Sequence, residues 1–241
     1  MSTSETASQN HHHVLNTHAA DFWMARGAIL VIVLLQLLLV NDFSLWSKLL
    51  APGVELLMFL PLSVATAWTQ NKAKYATTDA HFHLIARWRR VIRRTALVLT
   101  IIVTLMNSIA LYFLLKALLT GHAGSAQTLL IDAMNIWFTN IIAFALWFWS
   151  IDRGGPASRG ITSKQAADFL FPQMSLTDPA YRDWSPGFID YLFVAFTTAT
   201  AFSPTDTMPL SARAKLLSMA EAGVSLLTLA LVAARAVNIL A

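Results

Sequence analysis

Four polar side chains fall inside stretches otherwise built from aliphatic and aromatic residues. Asp132, Asn135 and Asn140 lie in the run 128–150, and Glu221 lies in the run 212–241. Burying such groups in hydrocarbon costs several kcal/mol or more unless they are paired or wet, so they mark ion or proton pathways or interhelical hydrogen bonds. Asp132 and Asn135 stand at i and i+3 and share one helix face. Asp132 is within about one turn of the edge of its run, which predicts a side chain reaching headgroups. Asn140 is deeper and needs a partner helix. Glu221, about two turns into the last run, faces an interior surface. Arg235, fourteen residues further on, points almost the same way but is close enough to the edge to snorkel. Hydrogen bonding between helices and a role in permeation both account for these four positions, and Glu221 is the one singled out.

The densest charge is ARWRRVIRRT, 86–95. On a helix Arg87, Arg90 and Arg94 share a face, with Arg89 and Arg93 adjacent. Such a cluster orients a membrane protein and contacts anionic headgroups, each contact contributing about 1 kcal/mol near the surface. Without a surrounding soluble domain, nucleic acid is not an expected partner. His11, His12, His13 and His18, and a second group of Asp79, His81 and His83, lack the ligand number and spacing of a metal site. No GxGxxG, phosphate-loop lysine, GxSxG or HExxH occurs, and the chain has no cysteine. Neither an enzyme nor a cofactor is expected.

The elements that must position these residues follow from composition. Of 241 residues 56% are apolar and only 12% charged, about half the usual share for a soluble domain, and mean hydropathy is +0.56. The expected fold is an all-α polytopic membrane helix bundle with five full transmembrane helices and one shorter pore-type or crossing helix. Residues 1–20 are polar and aperiodic and are expected to be a disordered tail. Residues 21–68 hold spans 1 and 2, the first read as an uncleaved anchor. A basic loop at 69–94 follows, then a helical hairpin at 95–150 with antiparallel spans 3 and 4. A polar loop, 151–185, precedes a carboxyl-terminal module at 186–241. Between 70 and 94 stand Lys72, Lys74, Arg87, Arg89, Arg90, Arg93 and Arg94 against Asp79, so this loop and the N-terminus are expected on the cytoplasmic side of a cell membrane. Trp23, Trp68, Trp147, Trp149 and Trp184 fall at the same predicted interface. The segment 186–202 is apolar and threonine-rich, and its 17 residues reach about 26 Å, a little short of a full crossing. Crossing and re-entry both stay open.

From Trp184 to Leu240 the chain resembles the pore module of two-transmembrane potassium-type channels: a pore helix, a filter and an inner helix. Asp190 falls at the pore-helix acid, Leu192 and Phe193 on its apolar face, and Thr198 and Thr200 at the threonines leading to the filter. Asp206 and Pro209 match the aspartate and proline that follow, and 211–234 matches the start of the inner helix, with Glu221 at a common glutamate position. The likeness covers about 57 residues. Ala201, Phe202, Ser203, Pro204 and Thr205 stand where the glycine-containing filter would be. Pro204 fixes its own φ and removes an N–H, and no glycine supplies the backbone freedom a carbonyl-lined filter needs. Potassium selectivity is therefore not expected. The module also enters from the basic side, whereas in those channels the loop dips from outside. The whole chain further looks like bacterial multi-pass membrane proteins ending in such a degenerate module.

Two functions follow as expectations. The first is a channel-like module with a weak preference for cations, assembled as a homo-oligomer because one module cannot enclose an axis. The second is a non-conducting membrane protein that packs with the same module and binds lipid or a partner. A solute transporter predicts inverted repeats or paired broken helices, and neither is visible.

Overall fold

The computed structural model describes residues 2–37, 52–53, 56–57, 63–64, 79–120, 125–156, 166–182, 184–200 and 206–240. Five helices dominate: α1 (Ser2–Leu37), α2 (Asp79–Leu119), α3 (Ala126–Ile151), α4 (Phe188–Thr200) and α5 (Ala212–Leu240). Among the described residues the only strands are β1 (Phe169–Leu170) and β2 (Met208–Pro209), an antiparallel pair with Phe169 opposite Pro209. Among the described residues four helical stretches are long and apolar enough to cross a membrane: Ala20–Leu37, Val91–Leu119, Gln127–Gly154 and Ala212–Ala234. The expectation was five. The run 49–68 lies outside the described residues except for three two-residue pieces. α4 has 13 residues, about 20 Å, too few for the ~30 Å hydrocarbon core.

Two expected boundaries are corrected. Residues 2–20, read as a disordered tail, are the first half of α1. No proline or glycine interrupts the chain before Gly27, so helix nucleated by the apolar half propagates backward at little cost. Likewise the stretch 79–94, read as loop, is helix continuous with the span of α2, so the arginine cluster rides on the helix that it orients.

α3 is the hub, because it is apolar nearly all round and its residues from Ile136 to Ile151 are mostly buried. Ser125 caps it, its hydroxyl accepting the Thr128 N–H at 3.2 Å. α2 packs antiparallel to α3, as expected for the short connection. Arg93 lies beside Gly155, Trp147 Nε1 donates to Thr104 Oγ1 at 2.9 Å, and Leu111 and Leu114 pack with Leu129 and Ala133. α1 begins its apolar half at the same end, with Phe22 edge-on to Trp149 at 5.3 Å. That end, where α2 brings its arginines, is the basic end of the bundle.

α4 also runs antiparallel to α3, with Phe188 against Trp149 and Phe196 against Trp137. It descends from the basic end to mid-depth. By Met208 the chain is back at that end, because β2 pairs with β1 and the Leu210 N–H donates to the Asp168 carbonyl at 2.8 Å. Phe188 and Met208 thus lie at the same end of the bundle. α5 then crosses the whole bundle: Ala214 sits in the cluster at the basic end, while Leu231 and Val232 pack with Leu129 and Ala133 at the other.

Candidate functional site

The basic end is closed by a polar knot on which the re-entrant segment hangs. At the end of α3 the backbone turns through Arg153 (φ 49°), Gly154 and Gly155, all with positive φ. This turn leaves Asp152 fully buried. Its Oδ1 accepts the Asp168 N–H at 2.7 Å and its Oδ2 accepts the Tyr191 hydroxyl at 2.6 Å. Asp168, also buried, takes two hydrogen bonds from Arg213, from Nε to Oδ1 and from Nη2 to Oδ2, each 2.6 Å. Burial alone would raise the Asp168 carboxyl. The hydrogen bonds from Arg213 and Ser211, with the Arg213 charge and the Arg153 N–H, more than offset it and hold the group below its ordinary value. Three carboxyl-terminal elements are thereby tied to α3: β1 through Asp168, α4 through Tyr191, and α5 through Arg213. Around them Phe148, Phe169, Phe171 and Tyr191 pack ring on ring at centroid separations of 5.0 to 6.5 Å, Tyr191 edge to face with Phe169 and Phe171 and the phenylalanines tilted against one another.

The start of α4 is satisfied by two carboxylates. Asp190 Oδ2 accepts the Gly187 N–H at 2.7 Å, the returning arm of a capping box, so the expected pore-helix acid serves the helix's own terminus. Asp21 Oδ1 accepts the Phe188 N–H at 3.2 Å from α1. Gly187 permits that approach: a β-carbon there would stand 2.8 Å from Asp21 Oδ1. Both negative charges face the positive end of the helix dipole.

Inside the bundle the four singled-out polar residues are all buried. Asp132 is fully so, which corrects the expectation that it reaches headgroups: its face of α3 is covered rather than open to the boundary. Asn140 finds the partner helix that its depth demanded. Its Nδ2 donates to Ser225 Oγ at 2.9 Å and to the Glu221 carbonyl at 3.3 Å, both on α5. Asn107 of α2 reaches the Ile136 carbonyl at 3.2 Å. Glu221, Ser225 and Thr228 stand at i, i+4 and i+7 on one face of α5, all fully buried. Ser225 and Thr228 are satisfied, the latter through the Val224 carbonyl at 2.8 Å. The Glu221 carboxyl is not: both of its oxygens are sealed from solvent without a hydrogen-bond partner among the described residues.

Other predicted positions fare unevenly. Thr197, Thr198 and Thr200 each donate their hydroxyl to carbonyls of α4 itself, at 2.8 to 3.1 Å. Ala201, Phe202, Ser203, Pro204 and Thr205 lie outside the described residues. Asp206 is exposed, two residues before β2 and therefore toward the basic end. Arg87, Arg89 and Arg90 are on α2, Arg93 is half-buried and Arg94 exposed. Sequence reasoning missed Asp21, Asp152, Asp168, Tyr191, Arg213 and Ser225. Ser225, one turn from Glu221, had a usable signal. The others are joined by contacts between distant segments.

A comparison of the chain with protein-family models, with curated proteins and with solved structures found no match.

Proposed function

We propose that the protein is a multi-pass membrane protein of a cell membrane whose carboxyl-terminal module passes small cations, without selectivity for potassium. The carrying observation is the Glu221 carboxyl, fully buried within an apolar span and with neither oxygen bonded. A group serving only to join helices would be capped by its neighbour, as Asn140 is by Ser225. An uncapped carboxyl at that depth is an expensive feature whose use is to attract a cation or carry a proton. Its position suits the re-entrant segment. Glu221 lies nine residues beyond Ala212, about 14 Å along α5, and α4 descends about 20 Å from the same end. The tip of α4 and Glu221 therefore meet at similar depth, and the path runs beside the seam of α3 and α5 within each copy. Asp206, exposed near the mouth, gathers cations there. Association of copies into a homo-oligomer, and a cytoplasmic basic end with the N-terminus on that side, belong to the same proposal.

One observation favours the non-conducting alternative: the α4 hydroxyls are bonded to their own helix, as in a packing element. Flux separates the two. Purified protein in liposomes should pass sodium and potassium at similar rates, more slowly with Asp206→Ala and not at all with Glu221→Gln. Absence of flux from folded wild-type protein, or unchanged flux in Glu221→Gln, contradicts the proposal.

A further inference from the structure

A cation at the basic end also has an unmet bond, that of Arg93 Nε. Arg93 opens the apolar span of α2, which sets its guanidinium at the level where hydrocarbon gives way to headgroups. The side chain lies against the turn that ends α3. A β-carbon on Gly155 would stand 3.4 Å from Arg93 Nε and 2.8 Å from the Ser150 carbonyl oxygen. Glycine is required at 155 by its φ of 90° and by the Ser150 carbonyl, and the turn it makes lies in van der Waals reach of Arg93 Nε. Arg93 Nε is sealed from solvent and has no hydrogen-bond partner among the described residues.

Among the described residues the two buried carboxylates of the knot are already engaged. Both oxygens of Asp168 are held by Arg213, and both oxygens of Asp152 by Asp168 N–H and the Tyr191 hydroxyl. Arg213 itself stands close enough to Arg93 for the two charges to repel. Its side chain is 52% exposed, and Arg94 beside Arg93 is exposed as well. Two guanidinium groups therefore stand near one another at the membrane boundary, and Arg213 already commits its Nε and Nη2 to Asp168. An oxyanion with several acceptor oxygens, bonded by the outer nitrogens of the half-buried Arg93, would relieve the repulsion, and phosphate matches a guanidinium in geometry and charge.

We propose that Arg93, with Arg213 at its side, forms a binding site for phosphate, supplied at this depth by the headgroup of an anionic phospholipid. The site is independent of the cation path, which lies deeper and uses Glu221.

The test is retention of dioleoylphosphatidylglycerol by the purified full chain in detergent, counted as bound lipid per protein by native mass spectrometry. Dioleoylphosphatidylcholine and inorganic phosphate form separate arms. Wild type should retain the anionic lipid over the zwitterionic one. Arg93→Gln should weaken retention about five-fold, and Arg94→Gln, which alters an exposed charge, by less than about two-fold. Displacement of the lipid by inorganic phosphate supports the oxyanion site and identifies free phosphate as a second source. No displacement supports the headgroup as its source. Equal retention of both lipids by wild type overturns the site without recourse to any variant. Arg93→Gln that binds as wild type, or Arg94→Gln that loses as much, overturns it as well. Arg93→Lys keeps the charge and loses the fork, and should fall between wild type and Arg93→Gln.

Discussion

Arg213 at the start of α5 grips Asp168, just before β1, through two parallel hydrogen bonds of 2.6 Å each, across 45 residues of sequence. Between these two residues lies the whole re-entrant segment. The pair is the clasp that returns the chain to the face by which it entered, and β1 pairing with β2 continues the clasp by two residues. An arginine and a buried carboxylate suit this role, since a bidentate pair fixes distance and orientation together.

Breaking the clasp should therefore loosen the carboxyl-terminal module. Asp168→Asn and Arg213→Ala should each lower stability by about 1–3 kcal/mol, the range for leaving a buried partner unsatisfied. Thermal unfolding in detergent measures this. The pH dependence has a definite sign. The folded Asp168 carboxyl lies below its ordinary value, so its contribution is fully present above the unfolded value near pH 4 and is lost as pH falls through the folded one. Asp168→Asn should flatten that acid limb of the stability curve. An unchanged limb would assign acid sensitivity elsewhere.

Glu221→Gln should separate stability from activity. An unpaired buried carboxyl rests in its neutral form, so a neutral amide of the same shape should leave stability within about 1 kcal/mol of wild type. The variant should nevertheless conduct nothing. Loss of stability in this variant would mean that the carboxyl is a packing group.

Asn140 and Ser225 join α3 to α5 by a hydrogen bond of 2.9 Å. A double-mutant cycle of Asn140→Ala and Ser225→Ala should give a coupling of about 0.5–2 kcal/mol, the span found for polar contacts between membrane helices. A coupling of zero would remove the bond from the account of how the seam is held.

Tyr191→Phe deletes the 2.6 Å bond to Asp152 and leaves the ring stack intact. It should cost about 1–3 kcal/mol, because Asp152 is fully buried and no solvent replaces the lost donor. Far-ultraviolet dichroism unchanged from wild type would place the loss in the knot rather than in the helices.

Much of the bundle was legible in the sequence because hydropathy reports burial in lipid directly. Spans 95–118 and 128–150, their antiparallel packing across a short turn, and the last helix from Ala212 all follow from run length and punctuation. Asn140 was correctly assigned a partner helix because an amide at that depth has no other way to be satisfied. What was not legible depends on contacts between distant segments. Nothing local distinguishes crossing from re-entry at 186–202; the outcome rests on two two-residue strands and on Arg213 reaching Asp168. The stretch 151–185 reads as polar loop, yet Phe169 and Phe171 bury their rings under the helices and Asp152 and Asp168 organise the knot. Helix propagation into 2–20 and 79–94 was hidden for another reason: polar residues on a helix extended from an apolar span carry no periodic signal.

The relationship on which the proposal rests is that Phe188 and Met208 lie at the same end of the bundle. The chain lacks cysteine, so single cysteines report position without background. Asp178→Cys and Leu210→Cys, both exposed and on either side of α4, and Thr120→Cys, exposed after α2 at the far end, should be labelled with a membrane-impermeant maleimide in sealed vesicles of known orientation. Positions 178 and 210 should react from the same face and position 120 from the opposite one. Labelling of position 210 from the face that labels position 120 would mean that α4 belongs to a full crossing, and would contradict the account.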